Sequence, residues 1–323
     1  MNNKYPLKLS YTAKTAIWAG KRLKTEFGKK TELETVSESW ELTVREDEMA
    51  TVLNGVASGK TLAQYFEEYG YDSVSPDFSA DKRFPLLVKL IDANDILSVQ
   101  VHPDDCYAKA VENDSGKTEM WYIVDALDGA RLVYGLKDGV SSEDFADAVR
   151  AGKIGDVMNY CNVEKGQTYF IPAGMLHAIG AGILIAEIQQ NSDLTYRVYD
   201  FDRIGKDGKP RPLHVQKAMD VTRPYTEEQV NAVRYSRGYE EQAKGELLAN
   251  CDFFKVRKFT TDSSVALAAT DKSFVSLLFI QGDGYIDCHG ERYPVCKGDS
   301  YFVPAGTGDF EVCGNLEFIA SEI

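Results

Sequence analysis

The sequence predicts a mainly β protein arranged as two barrel-like β domains, and three observations predict it. Apolar and polar residues alternate in many short segments, the period-two signature of half-buried strands. The chain carries 18 Tyr, 15 Phe and 26 Gly among 323 residues, a usage that favours pleated sheet and tight turns. One turn also occurs twice. Residues 166–177 read GQTYFIPAGMLH and residues 298–309 read GDSYFVPAGTGD. Each is a glycine, five residues, Pro-Ala-Gly, two residues and a polar side chain. The repeat divides the chain into a first domain over 1–235, with N-terminal strands and helical insertions, and a second over 236–323.

The elements follow in order. Residues 1–55 read as β structure with polar connections, including AIWAG (16–20) and the alternating TVSESWELTVR (35–45). Residues 60–69 place Leu62, Tyr65 and Phe66 at helical spacing, and 71–83 is a loop by its Ser, Asp and Pro. Strands are expected over 84–91 and 96–102, separated by a turn at 92–95. The second puts Ser98, Gln100 and His102 on one face, and Val99 and Val101 on the other. Pro103 ends it and opens a helix to 113. Residues 117–126 form a strand with Lys117, Glu119, Trp121 and Ile123 on one face, and 141–154 a capped amphipathic helix. Strands follow over 182–190 and 195–201, then a loop or hairpin tip over 202–211 and a short helix over 213–221. The polar, Glu-rich stretch 222–250 is expected to connect the domains, and 251–323 is all β by pattern.

Composition bounds the function. A hydrophobic share of 44% with 27% charged residues is that of a soluble globular protein. No apolar run is long enough to cross a bilayer, and the N-terminal residues lack the apolar core of a signal peptide, so a cytoplasmic location is expected. The formal net charge of -14, with no basic stripe, argues against nucleic acid and anionic membranes as partners. An anionic substrate would have to be met by local cations. The six cysteines form no CxxC pair, so reduced structural thiols are expected. The chain is expected to be a monomer or weak homo-oligomer.

The first copy of the turn resembles the second motif of the cupin β-barrels, whose histidine is a metal ligand. Only four histidines exist, so a metal site here must mix ligand types. Gln100, His102, Glu119 and His177 supply two imidazoles, a carboxylate and an amide. Zinc suits this set, and manganese, iron or cobalt also fits. The bland alternative puts Gln100 and His102 in solvent and pairs Glu119 with Lys117 on the surface. Against it, each residue interrupts an apolar strand, where an unpartnered charge is costly to bury. Lys89, Lys117 and Arg197, with the Ser98 hydroxyl, form a pocket suited to a phosphorylated anion. Glu187 either binds hydroxyls and moves protons or pairs with Arg197 in a structural ion pair. The second copy ends in Asp309 and has no histidine-bearing strand upstream, so the C-terminal domain is expected to lack the metal site. His214 is expected to pack or hydrogen-bond at its helix start. His289 is expected to be incidental, and Trp18 and Trp40 to be core residues.

Four segments carry a closer likeness. SVQVHPDD (98–105), GKTEMWYIV (116–124), YFIPAGMLHAIG (169–180) and QQNSDLTYRVYDFDR (189–203) together resemble the type I mannose-6-phosphate isomerases in their short bacterial form. The likeness runs from AIWAG to about residue 221. It departs from the family at AIWAG itself, where IWGG is usual. The resemblance implies a cupin-type β-barrel (jelly roll) catalytic domain and a second, cupin-like C-terminal domain. It implies one Zn2+ per chain on Gln100, His102, Glu119 and His177, and Arg197 as the residue essential for catalysis. Lys89, Ser98, Lys117 and Glu187 match its substrate-pocket positions. The implied reaction interconverts mannose 6-phosphate and fructose 6-phosphate by proton transfer through a cis-enediol. The alternatives are a non-catalytic sugar-phosphate-binding cupin and another metal cupin enzyme.

Overall fold

The computed structural model describes residues 4–46, 48–205, 208–240 and 245–323. Residues 206–207, in the expected loop over 202–211, and 241–244, in the expected connection over 222–250, lie outside the described residues, as do the first three.

Two antiparallel sheets make the first half. A six-stranded sheet runs in the order Thr168–Ile171, Glu119–Ala126, Ile183–Gln190, Leu86–Ala93, Glu38–Leu42 and Thr12–Lys14. A five-stranded sheet runs Met158–Asn162, Arg131–Leu136, His177–Ala178, Val99–Val101 and Tyr196–Tyr199. Alternation decides what each face carries. Val99, Val101, Ala178, Tyr196 and Val198 pack outward against Phe145 of the Ser142–Arg150 helix and against Ala218 and Val221 of the Val215–Val221 helix. The residues between them, Gln100, His177 and Arg197, face the other way. They are register neighbours: His177 lies opposite Gln100, and Gln100 opposite Arg197. This is the sandwich of a cupin-type barrel, with a polar row where its sheets meet.

Seven strands, from Glu246–Asn250 to Gly308–Glu322, make the C-terminal half as part of an eight-stranded antiparallel sheet. The N-terminal Leu7–Lys8 strand joins its edge by pairing with Ser300–Val303. One apolar core is continuous between the halves. Phe302 and Phe274 stack at 4.9 Å between ring centroids, and both meet Phe84, which stacks on Phe66 of the Leu62–Tyr69 helix at 5.8 Å. That helix starts as its sequence suggests: Thr61 and Gln64 form a reciprocal capping box.

The structure departs from the sequence expectation in three places. Residues 222–250 are not merely a connection, because they hold the Glu227–Arg234 helix and the Glu246–Asn250 strand. Thr226 and Gln229 cap that helix reciprocally, and the string TEEQ is the signal that announces it. The Arg131–Leu136 strand has no counterpart in the expected elements. Its RLVYGL lacks clean alternation, and Gly135 bends it at φ +78°. The strand after Phe84 also runs on to Ala93, which leaves only residues 94–95 of the expected 92–95 turn as a bend.

Phe302→Ala is expected to cost about 3–5 kcal/mol, the range for deleting a fully buried aromatic. Urea unfolding checks it, and Phe302→Leu should recover most of the loss. A cost under about 1 kcal/mol would show that the shared core does not join the halves.

Candidate metal centre and sugar-phosphate site

The turn at residues 172–177 positions one ligand and ties down another. Gly174 adopts φ +90°, where an added Cβ would lie 2.9 Å from the Val221 carbonyl oxygen. Glycine is therefore required there twice over. Its N–H donates to the His102 carbonyl at 2.8 Å, so the turn is fastened directly to the end of the Val99–Val101 strand. His177 follows three residues later with its ring buried.

Glu119 opens the neighbouring strand of the other sheet with no solvent exposure. His177 Nε2 lies 3.4 Å from its Oε1, and His102 Nε2 3.6 Å from its Oε2. Backbone carbonyls hold the far side of each ring. Leu194 O is 2.7 Å from His102 Nδ1, and Met175 O is 2.8 Å from His177 Nδ1. A carbonyl only accepts, so each Nδ1 carries the proton and each Nε2 turns a lone pair toward Glu119. Gln100 Nε2 is 3.4 Å from His177 Nε2, and a half-turn of that amide presents its oxygen instead.

These residues fit a divalent ion. Both Glu119 oxygens are buried; among the described residues Oε1 has no hydrogen-bond donor beside it, and Oε2 is met only by the Lys117 ammonium. One ligand atom from each of His102, Glu119 and His177 falls within 4.8 Å of the others. Two donors on one tetrahedral ion stand about 3.4 Å apart, given metal–ligand bonds of about 2.0–2.1 Å. The nitrogen–oxygen spacings here match that figure.

Lys117 is buried beside the cluster, its Nζ 2.8 Å from Glu119 Oε2 and 3.2 Å from His102 Nε2. The Lys117–Glu119 pair thus forms, in the interior rather than on the surface. Burial alone would raise the Glu119 carboxyl, but the Lys117 ammonium beside it holds it well below the usual carboxylate range. Burial, reinforced by Lys117, drops His102 to about 4, and burial lowers His177 as well.

A second buried pair sits along the six-stranded sheet. Lys89 lies directly opposite Glu187, with Nζ 3.1 Å from Oε1 and 3.6 Å from Glu38 Oε2. Burial opposes the charge on Lys89, yet Glu187 and Glu38 hold its pKa above the ordinary lysine value. Of the two roles the sequence leaves open for Glu187, the ion pair exists, but with Lys89 rather than Arg197. Trp121 Nε1 donates to Glu187 Oε2 at 2.9 Å. Sequence reasoning passed over Trp121 as a site residue; its place on the Glu119 face was the available signal.

Arg197 is half-buried beside Gln100. Its Nη1 donates to Pro212 O at 2.9 Å, while its Nε is buried with no acceptor. Asp200, the nearby carboxylate, is occupied by Arg203 and Arg211. Burial, with Arg211 close by, lowers the Arg197 pKa. His214 precedes the Val215–Val221 helix without capping it through its side chain, and accepts from the Arg197 N–H at 3.2 Å, the hydrogen-bonding role its sequence position suggests. Ser98 is buried two residues before Gln100. In the second copy of the turn, Asp309 is exposed.

The family description "Phosphomannose isomerase type I, catalytic domain" matches residues 7–125, and "Mannose-6-phosphate isomerase, cupin domain" matches residues 244–323. A mannose-6-phosphate isomerase of Streptococcus mutans is 36% identical, with 98% of this chain and 98% of that protein covered. The Bacillus subtilis mannose-6-phosphate isomerase ManA is 34% identical over 98% of this chain and 99% of its own length. The crystal structure of the mannose 6-phosphate isomerase from Bacillus subtilis superposes with a TM-score of 0.88 at 33% identity, covering 98% of this chain and 99% of that one.

The depressed histidines make a prediction. In metal-free protein the His102 ring should stay neutral at pH 5.5 and titrate near 4, read by 15N NMR. The linked stability is complete above the unfolded histidine pKa of about 6.5 and is lost as pH falls toward 4. A His102 midpoint near 6.5 would contradict the buried geometry.

Proposed function

The chain belongs to the type I mannose-6-phosphate isomerases, and from that premise we propose that it is a zinc-dependent enzyme interconverting mannose 6-phosphate and fructose 6-phosphate, with zinc on Gln100, His102, Glu119 and His177. The observation that carries the metal assignment is Glu119, a fully buried carboxylate paired among the described residues only with Lys117, whose oxygens face the lone pairs of two tautomer-locked imidazoles.

The reaction moves a proton between C2 and C1 through a cis-enediol. Bound zinc supplies Lewis-acid polarisation of the substrate's carbonyl and hydroxyl oxygens. The chain's own residues do the rest. Arg197 keeps an unused Nε–H beside Gln100 and donates to the negative charge that develops on the enediolate oxygens. A guanidinium stays charged at neutral pH, and Asp200, paired with Arg203 and Arg211, forms no ion pair with it. Lys89, Lys117 and the Ser98 hydroxyl bind the anionic substrate, and fixing the phosphate end orients the reacting end. Glu187 accepts from a sugar hydroxyl through Oε1. The buried setting excludes water and strengthens each of these contacts. A sugar phosphate is thus the expected small-molecule partner. Among the described residues no helix is long and apolar enough to cross a membrane, and the cytoplasm remains the proposed location.

Two outcomes test the proposal. Chelator-treated protein should lose isomerase activity and metal together, and stoichiometric zinc should restore both; full turnover in protein shown to be metal-free contradicts the zinc assignment. Arg197→Ala should lower kcat by about 10²–10³-fold, the usual cost of removing one oxyanion donor, with little change in melting temperature. Wild-type turnover in that variant removes Arg197 from the chemistry.

A further inference from the structure

Strand register sets a row of polar-tipped side chains across the six-stranded sheet. Trp40, Lys89, Glu187 and Trp121 are successive opposite neighbours on Glu38–Leu42, Leu86–Ala93, Ile183–Gln190 and Glu119–Ala126. Trp121 is fully buried, with Tyr169 opposite it on the outer strand, and reaches both parts of the site. Its indole N–H donates to Glu187 Oε2 at 2.9 Å. Its ring meets the His177 imidazole edge to face, with centroids 5.4 Å apart and planes at 77°.

An indole N–H donates and never accepts. The oxygen it faces therefore keeps one lone pair engaged, and Oε1 is the oxygen that the indole leaves free to meet a sugar hydroxyl or a proton. Among the described residues that oxygen is met only by the Lys89 ammonium, 3.1 Å away. The same ring is braced against His177, so the orientation of the Glu187 carboxylate is set relative to the imidazole. A phenylalanine would keep the bracing and lose the donor.

We propose that Trp121 is a positioning residue of the isomerase: its indole N–H fixes Glu187 Oε2 and aims Oε1, together with Lys89, at a sugar phosphate lying beside His177. The inference rests on the functional reading above.

A double-mutant cycle on the zinc-loaded enzyme tests it. Trp121→Phe should lower kcat/KM for mannose 6-phosphate by about 10- to 100-fold, the cost of losing a hydrogen bond to a charged group. Zinc content should be unchanged. In a Glu187→Ala background the same substitution should change kcat/KM by less than about threefold, because the group it acts through is gone. Losses that multiply across the cycle overturn the proposal. The Trp121 indole 1H–15N resonance supplies a readout independent of turnover. It should be shielded from solvent exchange and should move when Glu187 is replaced. Glu187→Gln serves where the alanine variant does not fold. An unmoved resonance overturns the proposal whether or not the enzyme turns over. Wild-type protein without isomerase activity, but with the resonance shift intact, instead sinks the functional reading.

Discussion

A carboxylate with no solvent exposure must find positive charge or ligands inside the protein, and Glu119 is that carboxylate. An unpaired charge in such a place costs several kcal/mol even after relaxation. The surrounding chain is arranged to meet that demand. Lys117, two residues earlier on the same face, supplies an ammonium at 2.8 Å. The facing sheet supplies two imidazoles whose outer nitrogens are bound to Leu194 and Met175 carbonyls. Those bonds in turn fix the turns at residues 190–194 and 172–177, so the loops around the site owe their positions to the ligand geometry. In the proposed enzyme the same demand is what makes the residues a receptor for a divalent cation.

The Pro-Ala-Gly turn shows how one local structure serves two ends. In both copies the residue after glycine closes back on the proline carbonyl, Met175 N–H to Pro172 O at 3.0 Å and Thr307 N–H to Pro304 O at 3.1 Å. Both glycines have positive φ. The partners differ. Gly174 bonds to the His102 carbonyl and brings two ligand strands together. The second copy is turned toward the N-terminal half, where Ala305 N–H reaches Ser73 O at 2.8 Å and the Ala305 carbonyl accepts from Lys4 at 2.8 Å. Nearby, Lys29 crosses from the same half to the Gly298 carbonyl at 2.7 Å, while paired with the buried Glu41. One copy thus gathers the site residues, and the other docks the C-terminal sheet against the domain that carries them.

Much of this was legible in the sequence, and the reasons are local. The clean alternation of VQV before His102, and the apolar run EMWYIV opened by Glu119, announce strands and, by period two, the face each side chain takes. Residues that break an apolar face, Lys89 and Glu119 among them, mark where polar partners must exist. Partner identity is another matter, because it depends on register between strands far apart in the chain. Glu187 pairs with Lys89 across the sheet, and nothing in the local string distinguishes that lysine from Arg197. Trp121 was hidden for the same reason: a buried tryptophan on an apolar strand reads as core, and its N–H gains a role only once Glu187 is opposite. The Arg131–Leu136 strand was hidden by its glycine, and the Glu227–Arg234 helix by a polar surface that leaves only Val230 buried.

The central claim is that zinc sits on Gln100, His102, Glu119 and His177, and X-ray absorption at the zinc edge addresses it most directly. Zinc-loaded protein should show two imidazoles and oxygen ligands at about 2.0–2.2 Å and no sulfur shell. Replacing either His102 or His177 should reduce the imidazole count to one. A thiolate shell at about 2.3 Å, or an imidazole count unmoved by either replacement, would place the ion elsewhere and contradict the account.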